Sequence, residues 1–320
     1  MRYRYALCYC LILMGTLVAN TNANANAYAE PVQYVGMCDA SAAVMLDDDK
    51  FAVANDEDNI LRIYSLRSPG EPVSVDLKNF LNAGKEADIE GAARIGNRIY
   101  WITSHGRNKK AEPKPNRRRF FATDIHKDQR GINLVPVGRG ERGLDTLIDS
   151  DIGRRYGLQQ AAERAPETPD ALNIEGLAAN VAGGLLIGFR NPIPHGHALV
   201  VPIKNPDRFI NGKEKAIAPE FGKPIELDLN GLGIRSFDAV PGTSSYVIVA
   251  GAAGKGHFDL YGWRPPQKPV KLEIALPADF RPEGLMIDPG HKAIHLISDD
   301  GDDCPTPAAF RMLTLPMPSW

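Results

Sequence analysis

The segment Ala87–Arg107, ADIEGAARIGNRIYWITSHGR, decides the fold because the chain repeats its pattern. In it, Glu90-Gly91 opens a short apolar run, a turn follows at Gly96-Asn97, and a second apolar run ends in charged residues. Two close copies and two weaker ones lie elsewhere in the chain, at Leu172–Asn191, Arg281–Asp300, Cys38–Glu57 and Ile234–Ala253. A hairpin repeated in this way is typical of a radial β-architecture.

Each copy opens a cycle of short strands that are bounded by Gly, Pro, Asn or Asp. Four cycles contain four strands, the number found in one blade of a β-propeller. The last cycle has only three, Gly284–Ile287, Ala293–Ile297 and Ala309–Leu315, and the spare N-terminal strand Pro31–Val35 can supply the fourth. The sequence therefore predicts an all-β, five-bladed propeller that closes by pairing its chain ends, which removes open sheet edges.

An insertion at residues 138–171 interrupts these cycles. Its apolar residues at Leu144, Leu147, Ile148 and Ile152 have the spacing of a helix. Since it joins an outer strand to the next inner strand, we place it on the entrance face as a candidate lid. If part of it formed strands instead, the alternative would be a six-bladed ring. We expect residues 30–320 to form one domain in either case.

The N-terminus has the features of a signal peptide. Two arginines precede an apolar run at residues 6–18, and Ala27-Tyr28-Ala29 fits a cleavage site. That run is shorter than the about 20 residues that a membrane span needs, and no later run is long enough. We therefore expect residues 1–29 to be removed, the mature protein to be periplasmic or secreted, and no transmembrane segment to remain in it.

Two cysteines remain after that cleavage, Cys38 and Cys304. The first follows the closing strand and the second lies in a loop of the same blade, so we predict a disulfide across the closure, as an oxidising compartment permits. Two unpaired thiols are the alternative. The charges nearly balance, with 37 Lys and Arg against 39 Asp and Glu, so no general affinity for nucleic acid is indicated.

Glutamates begin the inner strand in three of the copies, at Glu90, Glu175 and Glu283. In a propeller the inner strand starts at the face where the second strand ends, so these side chains should converge near the axis. Counting fifteen positions on from each reaches His105, Arg190 and Ser298, and the same count from Ser41 reaches Asp56. The candidate ligand-binding residues are Glu90, His105, Arg107, Glu175, Arg190 and Glu283.

Three carboxylates that face one channel repel one another, so they need a cation, basic partners or a shared proton. Several carboxylate oxygens suit Ca²⁺, which makes calcium the expected cofactor if the protein has one. The candidate metal ligands are Glu90, Glu175, Glu283 and Asp299. The alternative is that each glutamate caps backbone N–H groups of the adjacent strand and serves only the fold.

His105 lies at a strand end that leads into a loop rich in arginine and lysine, residues 107–119. A histidine beside an acid can act as a general base, so His105 and Glu90 are the catalytic candidates if the protein is a hydrolase. The alternative is a histidine that only makes structural hydrogen bonds. The arginines of the loop can clamp a phosphate or a carboxylate, or the loop can simply be a solvated surface.

Five segments carry a resemblance to a known family: EADIEGAARIGNRIYWITSHGRNKK, RRRFFATDI, NIEGLA, GGLLIGFRNPIP and RPEGL. They resemble the bacterial domain-of-unknown-function 3616 family over most of the mature chain, which implies no particular activity. The Glu-Gly pairs are also similar to those of phytase-like esterase β-propellers. That second resemblance implies calcium-assisted hydrolysis of ester or phosphoester bonds.

The charges predicted at the central mouth favour binding over catalysis. Binding requires only that opposite charges converge, whereas a hydrolase also needs an activated water or nucleophile and an acid/base group within reach. We therefore expect the protein to bind an anionic small molecule or a cell-envelope partner at this mouth. A calcium-assisted hydrolase is the alternative.

Overall fold

The structure is a computed structural model that describes residues 30–140, 144–210, 219–254, 256–288, 290 and 292–320. In this part the chain forms twenty β-strands, numbered in chain order, together with five short α-helices and three 3-10 turns. The strands make five sheets of four strands each, and every sheet is antiparallel throughout. The predicted five-bladed propeller is confirmed.

The blades follow one another along the chain. The first blade contains β2 Ala40–Met45, β3 Lys50–Asn55, β4 Ile60–Ser65 and β5 Val73–Asp76. The second contains β6 Ile89–Ile95, β7 Arg98–Thr103, β8 Phe120–Asp128 and β9 Gly131–Gly140. The third contains β10 Asn173–Ala179, β11 Leu185–Asn191, β12 Ala198–Ile203 and β13 Ile225–Leu227.

The fourth blade contains β14 Gly233–Ala239, β15 Tyr246–Gly251, β16 Phe258–Trp263 and β17 Val270–Lys271. The fifth contains β18 Pro282–Asp288, β19 Ala293–Ser298, β20 Ala309–Pro316 and the N-terminal strand β1 Val32–Val35. Strand order in each blade runs from the innermost strand outward, so β2, β6, β10, β14 and β18 surround the axis.

The insertion between the second and third blades is helical, as predicted. It contains α2 Asp145–Ile148, α3 Asp151–Arg155 and α4 Leu158–Ala161. It begins later than expected, because β9 continues to Gly140. The six-bladed alternative is not supported, since no strand forms among the described residues of the insertion. The other two helices are α1 Lys78–Leu81 and α5 Pro206–Ile210.

The ring closes where the two ends of the chain meet. Strand β1 pairs antiparallel with β20, from Val32 opposite Met312 to Val35 opposite Ala309. Tyr34 of β1 stacks on Phe310 within its own blade and packs edge-on against Phe51 of the first blade. The closing strand therefore completes one sheet and also fills the interface with the next.

A disulfide lies beside this closure and confirms the predicted pair. Cys38 and Cys304 are bonded, with their Cα atoms 5.5 Å apart and a sequence separation of 266. Disulfides persist in oxidising compartments, so the bridge agrees with a location outside the cytoplasm. The predicted signal peptide, residues 1–29, lies outside the described residues. No helix in the described part of the chain is long and apolar enough to cross a membrane.

The core consists of five clusters of buried apolar side chains, and each fills the gap between two neighbouring blades. The repeated Glu-Gly pair reflects how closely the innermost strands approach this core. A Cβ atom at Gly91 would lie 2.8 Å from Ile102 Cγ2, and one at Gly284 would lie 2.5 Å from Ile297 Cγ1. Both positions therefore need glycine for space, which explains the glycine of the repeat.

Candidate functional site at the central mouth

Every innermost strand carries a β-bulge near its start, where one residue has no partner on the second strand. The residues that the pairing skips are Ser41, Glu90, Glu175, Arg235 and Glu283. Because neighbouring innermost strands pack against each other around the axis, these residues form one ring, which we call the bulge ring. Bulges redirect side chains and are frequent beside functional sites. The convergence predicted for the three glutamates follows from this shared position.

On one side of the bulge ring, an arginine separates two glutamates. Arg235 Nη1 lies 2.5 Å from Glu283 Oε1 and 3.4 Å from Glu175 Oε2. Glu175 Oε1 accepts two further hydrogen bonds, from Arg190 Nη1 at 2.7 Å and from Asn173 Nδ2 at 3.0 Å. The structure thus brings Glu175 and Arg190 into contact. Both glutamates on this side contact protein cations, although burial still raises the pKa of Glu283 to about 7.

The other side of the mouth holds three carboxylates and far fewer donors. Asp56, which follows β3, and Asp88 and Glu90, at the start of β6, offer oxygens that all lie within 4.8 Å of one another. Asp88 accepts hydrogen bonds from Ser104 and Arg117. Within the described part of the chain, the carboxylates of Asp56 and Glu90 have no partner, although Asp56 Oδ1 is buried. We call these three residues the acidic cluster.

The electrostatics of the acidic cluster oppose full ionisation. Burial raises the pKa of Asp88 to about 6, even though Arg117 acts in the other direction. Burial and then the neighbouring Asp88 hold the pKa of Glu90 and the pKa of Asp56 well above their usual values. Adjacent carboxylates behave in this way when no cation compensates them. The cluster therefore needs either bound protons or a bound cation.

His105, the predicted general base, does not reach the mouth surface. Only 1% of its surface is exposed. Its Nδ1 lies 2.7 Å from the carbonyl oxygen of Thr103, and its Nε2 accepts a hydrogen bond from the backbone N–H of Leu144 at 3.1 Å. Burial lowers the pKa of His105 to about 4, so the ring is neutral near pH 7. Its contacts are those of a structural histidine that fastens the insertion to the second blade.

Two arginines of the basic loop hold the insertion. Arg107 donates to the carbonyl oxygens of Ala162 and Ala111, so its guanidinium binds backbone. Arg118 pairs with Asp145 of α2 at 3.0 Å. These contacts join the loop to α2 and to the end of α4. Neither arginine is placed to clamp an anion at the bulge ring.

The four predicted metal ligands do not form one group. Only Glu90 belongs to the acidic cluster. Glu175 and Glu283 are bound to Arg235 instead. The carboxylate of Asp299 accepts a hydrogen bond from the backbone of its own loop. In place of those three, Asp56 and Asp88 lie within reach of a cation bound by Glu90.

The residues that complete the site stand at fixed offsets from the bulged residue of their own copy of the repeat. Arg235 occupies, in the copy that begins at Ile234, the position that Glu90 occupies in its own copy. Asp88 lies two residues before Glu90, and Asp56 lies fifteen after Ser41. An alignment of all five copies on the bulge would have marked each of them, whereas a search for the Glu-Gly pair does not.

Among solved structures, the chain is similar to a glutaminyl cyclase of Myxococcus xanthus, with 14% identity and a TM-score of 0.46 over 89% of this chain and 95% of that chain. It is also similar to the PQQ-bound aldose sugar dehydrogenase of Streptomyces coelicolor, with 10% identity and a TM-score of 0.43 over 90% and 99%. Values this low support no inference about activity. No curated protein matches the sequence.

One family model matches the sequence over two segments, residues 39–151 and 157–273. Its description is "Protein of unknown function (DUF3616)". The segments span the first four blades and include the whole acidic cluster and four residues of the bulge ring. Since they cover well over half of the 320 residues, the resemblance noted in the sequence is confirmed. The chain belongs to the DUF3616 family of proteins of unknown function.

Proposed function

We propose that this propeller is a binding protein whose central mouth holds a divalent cation and, through it, an anionic ligand. Calcium is the first candidate for the cation, and the ligand is an anionic small molecule or an anionic component of the cell envelope. The observation that carries the proposal is the acidic cluster. Its carboxylates converge although they repel one another, and two of the three have no partner in the described part of the chain.

The spacing of the acidic cluster suits calcium. Two oxygens bound to one Ca²⁺ at about 2.4 Å can be no farther apart than about 4.8 Å. The oxygens offered by Asp56, Asp88 and Glu90 all lie within 4.8 Å of one another. Oxygen donors alone favour hard cations such as Ca²⁺, Mg²⁺ and Mn²⁺ over zinc or copper. Calcium takes about 6–8 oxygens, so the three carboxylates leave positions for oxygens of a ligand.

Direct capture of an anion by arginine is less well supported. Arg190 and Arg235 already bind Glu175, and Arg235 also binds Glu283. An anion that displaced these bonds would leave buried carboxylates without a cation, which is costly. A cation on the acidic cluster avoids this difficulty, because it offsets two of the three carboxylate charges and can bind the oxygens of the anion in its open coordination positions.

We expect calcium to raise the melting temperature of the full chain. Binding at a hundredfold excess over Kd adds about 2.7 kcal/mol of stability, which corresponds to about 4–5 °C in a protein of this size. Glu90→Gln should abolish the shift, because the amide supplies no charge. The measurement is a thermal unfolding series of chelator-treated protein with CaCl₂, MgCl₂ or NaCl.

The control for this experiment is Glu71→Gln, a change at an exposed glutamate outside the mouth, which should retain the calcium shift. Without calcium, Glu90→Gln should be at least as stable as the wild type. The reason is that the raised pKa of Glu90 marks its charged form as unfavourable to the fold at neutral pH. Equal calcium shifts in Glu90→Gln and Glu71→Gln would reject the site.

Calcium affinity should fall as the pH is lowered. Calcium binds ionised carboxylates and displaces their protons, and the pKa of Asp88 is raised to about 6. Below that pKa, each displaced proton costs about tenfold in affinity per pH unit. Asp88 alone predicts a loss of about fourfold between about pH 7.5 and about pH 5.5, which calorimetry can measure. The raised pKa values of Asp56 and Glu90 should add to this loss. Carboxylates with ordinary pKa values near 4 would give almost no change over this range.

Hydrolysis is the alternative activity proposed for the same site. The calcium-loaded protein should show no turnover of phosphate or carboxylic esters if it only binds its ligand. Both nitrogens of His105 have backbone partners, which leaves the mouth without its predicted histidine base. Calcium-dependent turnover that is lost in Glu90→Gln would replace binding with hydrolysis as the proposed function.

A further inference from the structure

A cavity of about 690 Å³ lies near the acidic cluster and is lined by residues that contact or adjoin it. Arg117 lines it and also donates to Asp88 at 2.9 Å. Glu57, on another wall, is the residue that follows Asp56 in the chain. The cavity is therefore one residue removed from Asp88, through Arg117, and one residue removed from Asp56, through Glu57. We call it the basic cavity because of its charged lining.

The lining carries four cations and two carboxylates, for a balance of +2: Glu57, Lys85, Glu86, Lys114, Arg117 and Arg119. Both carboxylates are already paired, Glu57 with Lys85 at 3.3 Å and Glu86 with Arg117 at 2.8 Å. The half-buried Lys114 has no ion-pair partner among the residues that the structure describes. An excess of cations around a concave surface attracts a negatively charged group.

We propose that the basic cavity binds a phosphate or carboxylate group of the ligand whose other anionic group lies on the cation of the acidic cluster. This inference rests on the proposed function and narrows it to small organic molecules with two anionic groups. Lys114 supplies a positive charge that no carboxylate of the cavity neutralises. Hydrogen bonds from its ammonium group to an anion would be charge-assisted, and these are stronger than hydrogen bonds between neutral groups. A neutral ligand, or one with a single anionic group, would leave either the cation or the cavity uncompensated.

The test measures the binding of inorganic phosphate and of succinate to the full chain by calorimetry, with and without calcium. Phosphate probes a phosphoryl group, and succinate probes a dicarboxylate. At least one of them should bind the calcium-loaded protein, and Lys114→Met should weaken that binding at least about fivefold. Lys110→Met is the matched control, because Lys110 is an exposed lysine of the same loop that does not line the cavity. It should leave binding unchanged.

The outcomes separate this inference from the proposed function. If calcium binds but neither anion does, or if Lys114→Met and Lys110→Met behave alike, the basic cavity is not an anion site. If calcium fails to bind while phosphate or succinate binding still depends on Lys114, the cavity is an anion site and the proposed calcium site at the acidic cluster is wrong.

Discussion

Replacing Arg235 with methionine is expected to lower the free energy of unfolding by about 3–5 kcal/mol, the cost of removing one partner from a buried ion pair. Arg235 is only 5% exposed and contacts both Glu175 and Glu283. Methionine fills similar space without charge, so the loss comes from two carboxylates that keep no common cation. Urea denaturation at neutral pH measures the change directly.

Two comparisons show whether charge causes this loss. Arg281→Met removes an arginine that is 39% exposed and pairs with Asp302 and Asp303, so it should cost less than about 1 kcal/mol. Adding Glu283→Gln to Arg235→Met should recover part of the stability, because one of the uncompensated carboxylates is then neutral. If the double variant is no more stable than Arg235→Met, Arg235 contributes by packing and not by charge.

The blade architecture could be predicted because it is encoded locally. Short apolar runs, separated by turns such as Gly96-Asn97, recur in every blade, and each hairpin forms within one copy of the repeat. The closure was also predictable. The last cycle has three strands and Pro31–Val35 is a spare strand, so pairing the two completes a fifth blade of four strands. The six-bladed alternative was wrong because residues 145–161 form helices.

The bulge ring was predicted in part, and the part that was missed has a physical cause. The Glu-Gly pair marks inner strands where glycine is needed for space, as at Gly91 and Gly284. The fourth blade has Ser236 at the equivalent position, so its bulged residue, Arg235, escapes a search by residue type. The bulge, and not the type of residue, directs the side chain into the mouth. Position in the repeat is therefore a better guide to this mouth than residue identity.

The role of His105 could not be read from the sequence, because it depends on a distant segment. The spacing places His105 at a strand end, but the backbone N–H group that donates a hydrogen bond to its Nε2 belongs to Leu144. Whether that segment packs against the second blade is a matter of tertiary structure. The repeat marks the positions of Asp56 and Glu90 in their own copies, but their approach to each other also depends on tertiary structure, since they come from different blades. Only the folded ring brings them together.

Loss of the disulfide should have the other large effect. Cys304→Ser is expected to lower the free energy of unfolding by about 4–5 kcal/mol, because the bridge spans a long loop and restricts the unfolded chain. Cys304 is exposed whereas Cys38 is 2% exposed, so the change at Cys304 adds no packing defect of its own. Guanidinium denaturation of oxidised protein measures the loss.

Reduced wild-type protein provides the control for this prediction. If the covalent link is responsible, reduction should lower the stability of the wild type to that of Cys304→Ser and should leave the variant unchanged. Labelling of the unfolded, unreduced wild type should find neither Cys38 nor Cys304 reactive. In the mature protein, which lacks Cys8 and Cys10, two labelled thiols would contradict the bridge. An oxidised wild type no more stable than Cys304→Ser would mean that the pairing of β1 with β20 closes the ring without help from the disulfide.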